Sequence, residues 1–391
     1  MLYLQKILSV MIQRTLFNQI RNQIFKGKTI MISGPRQSGK TTLLEMLAET
    51  LPEPCLMLNC DEPDIRKELT DATSTRLNSR FAKSRIVMID EAQRVKNIGL
   101  TLKLIHDKIP AVQLIVTGSS SLELTGATGE PLTGRKIEFR LLPLSTEELI
   151  NHTDGITEER LLNTRLVFGM YPDAVTQTAD ARRTLKNLTE SYLYKDVFSF
   201  QDIRKPEMIE TLLEAIALQT GNEVSYTELA SLVGIDQITI RRYIDLLEKS
   251  FVVFRLRALA RNVRTEIRKT RKIYFYDTGI RNAILNNFSD PSLRSDKGAL
   301  WENFLVSERM KFLNNHQLDR KQYFWRTAQQ QEIDYIEEQD GKLFAWEFKW
   351  QEGARYKIPM TFTKGYPEAL SGRIDRLNYM EFLTLSNIED V

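Results

Sequence analysis

The sequence contains few cysteines and no long uncharged apolar run, and each shortage excludes a class of protein. Cys55 and Cys60 are its only cysteines, and their spacing matches neither a redox motif nor a zinc site. A fold held together by disulfide bonds is therefore excluded, which favours a cytoplasmic protein. Because no apolar stretch approaches the length of a membrane span, no membrane partner is expected. The partly apolar segment 2–17 is interrupted by polar residues, so we interpret it as a helix packed on the protein core.

The sequence also has little net charge. Its 391 residues carry a formal charge of +3, so a surface for nucleic acid would have to be a local basic patch. Hydrophobic residues make up 42% of the chain, which is enough for packed cores. A chain of this length exceeds one typical domain, and we expect about two to four domains.

The most informative stretch lies near the N-terminus, where a short apolar run leads into a glycine loop. Residues 30–32 are predicted to form a buried strand, and apolar residues at helical spacing follow from position 42. The segment between them fits the phosphate-binding pattern G-x-x-x-x-G-K-[ST], in the strand, loop and helix order that the motif requires. The residues predicted to bind nucleotide are Gly34, Pro35, Arg36, Gln37, Ser38, Gly39, Lys40, Thr41 and Thr42.

The residue types in this loop suit ATP and Mg²⁺. Gly34 and Gly39 allow the backbone to approach a ligand, and the loop amides at a helix N-terminus form an anion site. Lys40 is predicted to reach the β- and γ-phosphates, and Thr41 is predicted to ligate Mg²⁺. The alternative is a chance match in an ordinary turn between a strand and a helix.

An acidic strand end follows the loop at a plausible spacing. Residues 85–91 form an apolar run that ends in Asp90 and Glu91, as a Walker B strand does. Asp90 is predicted to support Mg²⁺, and Glu91 is predicted to polarise the water that attacks ATP. Two solvated acids at a strand end would give the same pattern, so the P-loop decides between the two interpretations.

Three further side chains are candidates for the same reaction. Thr117 and Ser119 follow a fourth predicted strand, where a hydroxyl would sense the γ-phosphate or hold the attacking water. Turn chemistry explains these two residues equally well. Arg135 precedes the next strand and would stabilise transition-state charge, either in its own subunit or in a neighbour within a homo-oligomer. A solvated arginine at a strand start is the alternative.

Strands and helices alternate through residues 1–145, which we predict to be a P-loop ATPase core. Further strands are predicted at 54–60, 113–121 and 136–142, and a helix at 92–109. The pattern favours an α/β fold with a doubly wound parallel sheet. Residues 146–204 are mostly helical by pattern and are predicted to form a lid.

Residues 205–280 have the pattern of a winged helix-turn-helix module. A capping box at 225–228 begins one helix, a second helix follows, and strands are predicted at 251–256 and 271–276. The functional interpretation is a wing that contacts DNA phosphates, and the alternative is a packing module for other domains or subunits. The run 255–272 has one acid, Glu266, among the basic residues Arg255, Arg257, Arg261, Arg264, Arg268, Lys269, Arg271 and Lys272.

The last region, 281–391, places acids and a lysine on separate predicted elements. Glu302 lies on an amphipathic helix, Asp334 in an alternating segment, and Glu347 in the strand-like run 342–350. Glu347 and Lys349 fall on one strand face because side chains alternate. Asp334 and Glu347 would share Mg²⁺, Glu302 would complete the metal shell, and Lys349 would orient the nucleophile. Solvated charges on edge strands are the alternative.

These segments resemble the prokaryotic ATP-binding proteins that join an AAA-type ATPase to a C-terminal restriction-endonuclease-like domain of unknown function. The resemblance covers nearly the whole chain. It departs from the family at Met170 and Gln331, where glycine is usual. The segments that carry it are GPRQSGKTT at 34–42, DEAQ at 90–93, LIVTGSSS at 114–121, LTGR at 132–135, GMYPDAV at 169–175, YLYKDV at 192–197, IYFYDTGI at 273–280, ALWENFLVSE at 299–308, EID at 332–334 and EFK at 347–349.

The resemblance implies an extended AAA+ fold, ATP with Mg²⁺, and a cytoplasmic bacterial or archaeal protein without a known substrate. The Asp, then Glu-x-Lys, spacing of Asp334, Glu347 and Lys349 is that of a restriction-endonuclease-like site. We therefore predict an ATPase that couples its nucleotide state to a C-terminal half that binds DNA or a protein partner. Mg²⁺-dependent nuclease activity is a further expectation of that half. A non-catalytic, ATP-switched regulator that binds DNA or protein is the alternative.

Overall fold

The computed structural model of the protein describes residues 11–119, 132–193, 207–259 and 271–386. The chain divides into two compact units. The first unit ends at Pro143 and the second begins at Leu144, while the short segment Lys249–Phe251 groups with the first.

The first unit is built on a five-stranded parallel sheet in the order β2-β3-β4-β1-β5. Its strands are β1 Thr29–Ser33, β2 Cys55–Asn59, β3 Ile86–Asp90, β4 Gln113–Gly118 and β5 Lys136–Arg140. Its helices are α1 Leu16–Arg21, α2 Lys40–Thr50, α3 Pro63–Leu69, α4 Ser74–Phe81 and α5 Ile98–Lys108.

Helices cover both faces of this sheet because side chains alternate along each strand. Ile30 and Ile32 pack with α1 and α2 in one hydrophobic cluster, whereas Met31 packs with α3, α4 and α5 in another. The predicted doubly wound parallel sheet is thus confirmed. The carboxyl ends of its strands meet at one edge, which is where open α/β sheets bind ligands.

The strand predicted as buried at 54–60 is exposed in part. It is the edge strand β2, in which Leu58 is buried but Met57 is 36% exposed. An edge strand has a neighbour on one side, so the sheet covers less of it. The predicted N-terminal helix is confirmed for α1, whose apolar residues are buried, while residues 1–10 lie outside the described part of the chain.

The helix predicted at 92–109 is interrupted. A 3₁₀ turn at Ala92–Arg94 comes first, and α5 begins at Ile98. Asn97 precedes that helix with φ of 54°, a left-handed conformation that cannot continue a right-handed helix. The prediction was wrong because a single left-handed residue leaves no mark in the apolar pattern.

The second unit begins with short helices and contains a longer one near its end. Its helices are α6 Thr146–His152, α7 Gly155–Arg160, α8 Leu162–Phe168, α9 Pro172–Thr176, α10 Ala181–Asn187, α11 Glu207–Leu218, α12 Tyr226–Val233, α13 Gln237–Lys249, α14 Thr278–Ile284, α15 Lys297–Asn315, α16 Met360–Gly365 and α17 Tyr379–Thr384. A π-helical segment, Leu188–Leu193, follows α10, and 3₁₀ turns lie at Thr178–Asp180 and Pro291–Leu293. Within the described ranges, no helix combines the length and the apolar character needed to cross a membrane.

One seven-stranded sheet runs through the second unit in the order β12-β11-β10-β9-β7-β8-β6. Its strands are β6 Glu223–Val224, β7 Val253–Ala258, β8 Arg271–Phe275, β9 Lys321–Arg326, β10 Glu332–Gln339, β11 Lys342–Phe348 and β12 Leu370–Ile374. The pairs β7–β9 and β11–β12 are parallel, and the other pairs are antiparallel. The strands predicted for the helix-turn-helix module and for the last region therefore belong to one sheet.

The helix, turn, helix and strand-pair order predicted within 205–280 is present as α12, α13, β7 and β8. Ser225 caps α12 by accepting a hydrogen bond from the backbone N–H of Glu228, and Gly234 ends the helix with φ of 77°. Residues 260–270, where the tip of the predicted wing falls, lie outside the described residues. The lid helices share a hydrophobic cluster with this segment, including Tyr171 and Ile244. Hydrophobic packing continues across two of the predicted domain boundaries. The boundaries stay predictions.

Candidate functional site

Gly34 and Gly39 shape the loop that follows β1. Gly39 has φ of 91°, a left-handed conformation that favours glycine, and α2 begins at the next residue. At Gly34 a Cβ atom would lie 2.1 Å from the carbonyl oxygen of Leu141. The loop therefore packs directly on the chain that follows β5, and Gly34 is needed for this packing as well as for approach to a ligand.

Lys40 is buried beneath the loop. Its ammonium donates to the carbonyl oxygens of Gly34 at 3.1 Å and Pro35 at 2.9 Å, and lies 3.8 Å from Oε1 of Glu91. The Ser38 hydroxyl is buried and has no hydrogen-bond partner among the described residues. A buried polar atom without a partner is rare and costly. The loop thus holds a cation and an unpaired hydroxyl group that fit an incoming phosphate.

The other predicted loop residues lie in the same turn. Pro35 is buried, Gln37 is exposed with φ of 58°, and Arg36 is half-buried. Thr41 and Thr42 occupy the first turn of α2. The structure therefore brings the predicted nucleotide-binding residues together at the carboxyl edge of the parallel sheet.

Asp90 joins the P-loop to the end of β4. Its Oδ2 accepts a hydrogen bond from the Thr41 hydroxyl at 2.7 Å, and its Oδ1 accepts one from the Thr117 hydroxyl. The same Thr117 oxygen accepts the backbone N–H of Glu91 at 3.0 Å. Thr117 is fully buried, and its hydroxyl is bonded to protein groups. It therefore positions Asp90 and Glu91, which corrects the prediction that it contacts the phosphate or the water directly.

Glu91 has an unusual backbone conformation, and a residue that sequence reasoning missed holds its side chain. Its φ of 50° lies in the left-handed region, which non-glycine residues seldom adopt. The Gln93 side-chain amide donates to Oε2 of Glu91 at 2.6 Å and to the Ser119 hydroxyl at 3.0 Å. Gln93 appears in the sequence only as part of the DEAQ segment, and its role becomes visible when Glu91 and Ser119 are brought together.

Arg14 is the second residue of this site that the sequence did not indicate. It precedes α1, is 5% exposed, and donates to the carbonyl oxygens of Ser38 at 2.7 Å and Leu142 at 2.6 Å. A charged side chain in a partly apolar segment gives no sign of these partners. Arg14 fixes the backbone of the P-loop relative to the chain that leaves β5.

Arg135 lies at the opposite end of the sheet from the P-loop. Its carbonyl oxygen accepts the backbone N–H of Thr29 at the start of β1, whereas the P-loop follows Ser33 at the end of that strand. The strand spans about 13 Å at about 3.3 Å per residue, which is longer than an arginine side chain. The guanidinium instead donates to Asp107 at 2.8 Å, and this hydrogen bond lowers the pKa of that carboxyl. The prediction of a role in its own subunit is wrong, and a role in a neighbouring subunit stays a prediction.

The predicted basic run does not behave as one surface. Arg255 forms ion pairs with Asp245 at 2.7 Å and with Glu248, and Lys272 is buried. Their predicted contact with phosphates is therefore wrong. Arg257 is exposed and Arg271 is half-buried. Arg261, Arg264, Arg268 and Lys269 lie outside the described residues.

The C-terminal candidate residues converge from α15, β10 and β11. Burial and the nearby charges of Glu302 and Glu347 together raise the pKa of Asp334 to about 8. The Lys272 ammonium and a 2.7 Å hydrogen bond from the Phe348 backbone N–H oppose this rise. Asp334 therefore lies between carboxylates in a buried place, the environment in which a bound cation would replace a proton.

Glu347 and Lys349 form a pair on one face of the chain at β11, as alternation predicts. The Lys349 ammonium donates to Oε2 of Glu347 at 2.8 Å. Burial raises the pKa of Glu347, and Lys349 partly counteracts it. Burial lowers the pKa of Lys349, but the hydrogen bond and charge of Glu347, together with the charges of Asp334 and Glu302, outweigh burial, so the pKa of Lys349 is raised. The Glu347 carboxylate and the Lys349 ammonium are thus in direct contact, and each favours the charged form of the other.

Glu302 is engaged by side chains of β8. Its Oε1 accepts hydrogen bonds from the Lys272 ammonium at 2.7 Å and the Tyr274 hydroxyl at 2.6 Å. Burial, with the charge of Glu302, raises the pKa of Tyr274 well above its usual range. As arranged here, Glu302 takes part in an ion pair through Oε1, and its predicted place in the metal shell stays a prediction. Lys272 and Tyr274 were missed because β8 was assigned to a different domain.

Both sites offer few oxygen atoms that could coordinate a metal ion. Among the described residues, no group of three or more His, Cys, Asp or Glu is arranged to hold a metal ion. Mg²⁺ is commonly bound through one or two carboxylates, with water and phosphate oxygens as its other ligands. Thr41 with Asp90, and Asp334 with Glu347, are donor sets of that smaller kind, and they fit Mg²⁺ in the presence of a phosphate-bearing substrate.

Three protein families match successive parts of the chain. Residues 26–150 match the AAA domain family, residues 159–291 match a domain of unknown function (DUF8612), and residues 297–377 match another domain of unknown function (DUF4143). The first match falls on the unit that contains the P-loop. Fold, loop geometry and family match therefore agree on an AAA-type P-loop domain. The description matched by the C-terminal domain gives no activity, so its restriction-endonuclease-like character stays a prediction.

Relatives extend over most of the chain. An uncharacterized protein of Mycobacterium tuberculosis is 27% identical over 336 residues, covering 85% of this chain and 72% of that protein. An uncharacterized protein of Methanocaldococcus jannaschii is 24% identical over 343 residues, covering 81% of this chain and 74% of that protein. A solved DNA replication initiation factor has a TM-score of 0.26 and 15% identity, covering 60% of this chain and 86% of that chain. A likeness at that TM-score carries no argument about function.

Proposed function

We propose that the protein binds ATP at the P-loop and hydrolyses it. The contact set around Asp90 is the observation that supports this most. One carboxylate receives hydrogen bonds from the Thr41 and Thr117 hydroxyls, and Glu91 follows it in a left-handed conformation. If Asp90 were only a solvated acid at a strand end, it would not accept hydrogen bonds from both the P-loop residue Thr41 and the fully buried Thr117.

The chemistry follows from the side chains. Mg²⁺, held by Thr41 and Asp90, would neutralise charge on the β- and γ-phosphates. When ATP binds, the Lys40 ammonium would leave the carbonyl oxygens of Gly34 and Pro35 and bind phosphate oxygens instead. Glu91 then accepts a proton from, or polarises, the attacking water. Gln93 fixes the Glu91 carboxylate in the direction of that water.

Two substitutions test this reaction. Lys40→Ala removes the point charge and is expected to abolish ATP binding. Glu91→Gln is expected to keep binding and lower hydrolysis by about a hundredfold or more, the usual contribution of a general base. Glu62→Gln, at an exposed carboxylate, is the matched control and should hydrolyse ATP at the normal rate. Unchanged hydrolysis in Glu91→Gln would remove Glu91 from the mechanism.

We further propose that the C-terminal half acts on nucleic acid in a Mg²⁺-dependent manner. The convergence of Asp334, Glu347 and Lys349 in one partly buried place supports it, because β10 and β11 are interior strands of the sheet and not edge strands with solvated charges. Mg²⁺ held by the two carboxylates would activate water and stabilise charge on a phosphodiester. Lys349, paired with Glu347, would hold and orient that water. The alternative is a binding module that docks DNA or a partner protein without cutting it.

Nicking of supercoiled plasmid DNA separates the two possibilities. With Mg²⁺, the wild-type chain is expected to nick the plasmid, and Asp334→Ala or Lys349→Ala is expected to abolish nicking while ATP hydrolysis persists. Glu352→Ala, an exposed acid close by in sequence, is the control. Absence of nicking with DNA and RNA substrates, with or without ATP, would leave the binding module.

Coupling between nucleotide and partner completes the proposal. Arg241, Arg242 and Arg257 are exposed on α13 and β7, where they would contact phosphates of DNA. DNA affinity measured with ATP, with ADP and without nucleotide tests whether the nucleotide state is transmitted. Identical affinities in all three conditions would contradict coupling to DNA, and a pull-down from host extract with and without ATP would then test coupling to a protein.

A further inference from the structure

Lys272 is a buried cation in the middle of the C-terminal carboxylates. It lies on β8, and its side chain is 1% exposed. Its ammonium forms ion pairs with Glu302 at 2.7 Å and with Glu332, and it lies 5.4 Å from the centre of the Phe324 ring. A buried ammonium is tolerated where carboxylates surround it. Lys272 is therefore a built component of this cluster.

Two lysines form ion pairs with different acids around Asp334. Lys349 pairs with Glu347, and Lys272 pairs with Glu302. The Tyr274 hydroxyl donates to the same Glu302 oxygen as Lys272, which fixes that carboxylate from a second direction. Oε1 of Glu302 thereby accepts from two protein donors, whereas Asp334 and Glu347 each have one oxygen that accepts from a single donor, and they are the pair that we assign to Mg²⁺.

Enzymes that cleave phosphodiesters with two metal ions need a second set of carboxylate oxygens for the second ion. In this cluster the remaining acids, Glu302 and Glu332, already share a cation that the chain itself supplies. An ammonium has three N–H donors and a single charge, so it can hold two carboxylates together without exchange with solvent.

We infer that the Lys272 ammonium occupies the place of a second metal ion, so that the C-terminal site binds a single divalent cation through Asp334 and Glu347. This inference rests on the proposed metal-dependent role of the C-terminal half and specifies how many divalent cations its site binds. It also gives β8 a part in the site, although β8 belongs to the segment predicted as a DNA-binding wing.

The number of Mn²⁺ ions bound per chain tests the inference, because Mn²⁺ prefers the same oxygen ligands as Mg²⁺. Binding is measured by electron paramagnetic resonance without nucleotide, in an Asp90→Asn background that removes the P-loop carboxylate. The expected result is one ion, which is lost in Asp334→Asn. Lys272→Met is expected to bind a second ion. Lys321→Met, at a lysine whose side chain is 66% exposed, is the control and should still bind one.

A second variant covers the chance that Lys272→Met does not fold, since that change removes the cation that pairs with two partly buried carboxylates. Lys272→Met with Glu332→Gln removes one of those charges and keeps Glu302 and Asp334 as donors. Two ions in the Asp90→Asn chain with Lys272 intact, or one ion with unchanged affinity in either folded Lys272 variant, would overturn the inference alone. No Mn²⁺ binding together with no plasmid nicking would instead remove the proposed metal-dependent function on which it rests.

Discussion

The guanidinium of Arg14 joins the carbonyl oxygen of Ser38, at 2.7 Å, to that of Leu142, at 2.6 Å. Ser38 belongs to the P-loop, and Leu142 is the second residue after β5. One side chain therefore satisfies two buried carbonyl groups that are far apart in the sequence. The planar fork of an arginine can reach two acceptors in this way, and a lysine cannot do so with the same geometry.

Arg14→Lys is expected to weaken ATP binding about tenfold, because the P-loop carbonyls lose a fixed donor worth about 1.4 kcal/mol. Titration with a fluorescent ATP analogue measures the change. Arg21→Lys, at an exposed arginine on α1, is the control and should bind as the wild type does. Normal affinity in a folded Arg14→Lys protein would show that the contact has no part in nucleotide binding.

Arg135 is predicted to act across a subunit boundary. Hydrolysis per chain is then expected to rise with protein concentration. A mixture of Arg135→Ala and Lys40→Ala chains should regain activity that neither has alone, since each supplies the residue that the other lacks. The measurement is steady-state ATP hydrolysis over a dilution series, together with the mass of the particle in solution. Concentration-independent turnover by a monomer would rule the role out.

Arg255 and Arg257 are two residues apart and should respond differently to the same change. Arg255→Glu is expected to lower the free energy of unfolding by about 3 kcal/mol, because it places a third acid beside Asp245 and Glu248. Arg257→Glu should leave stability unchanged and reduce the salt dependence of DNA binding by about one counterion. Denaturant unfolding and DNA titrations at several salt concentrations measure both effects. Equal loss of DNA affinity without loss of stability in both variants would contradict this assignment.

Asp296, directly before α15, is expected to stabilise the second unit in a pH-dependent way. Hydrogen bonds from Arg294 and the charge of Arg281 lower the pKa of Asp296 to about 2 against its burial. Because the folded pKa lies below the unfolded one, the stabilisation is present above about pH 4 and is lost as pH falls towards 2.

Asp296→Asn should therefore remove roughly 1 kcal/mol of stability at pH 7, after allowance for solvent screening, and almost none at pH 2. Thermal unfolding between pH 2 and 7 measures the difference. Asp319→Asn, at an exposed acid, serves as the control. A constant difference across that pH range would show that the carboxylate charge is not the source.

Local patterns predicted the site that is built from consecutive residues. The P-loop and the Asp90 strand end were found because each consists of an apolar run followed at once by the functional residues. Glu347 and Lys349 were found in the same way, since strand alternation fixes their common face. In these cases, the information needed lies within about ten residues of sequence.

Residues whose partners are distant were not found. Arg14 meets the P-loop only after the chain has folded around β1 and β5. Lys272 was assigned to a basic run because sequence spacing cannot show that β8 would lie inside the sheet, between β7 and β6, or that Glu302 and Glu332 would meet its ammonium. The edge position of β2 is likewise a property of strand order, which the alternation of elements does not determine.

The parallel pairing of β7 with β9 bears on how this protein could be divided or recombined. Arg257 and Ala258 align with Tyr323 and Phe324, and the backbone N–H of Leu259 donates to Phe324. A chain that stopped at residue 280 would leave one side of β7 unpaired, next to the buried side chains of Phe254 and Leu256. An unpaired apolar strand edge recruits strands from other molecules. Exchange of the C-terminal half between relatives would therefore have to include β6, β7 and β8, with the cut placed before Glu223.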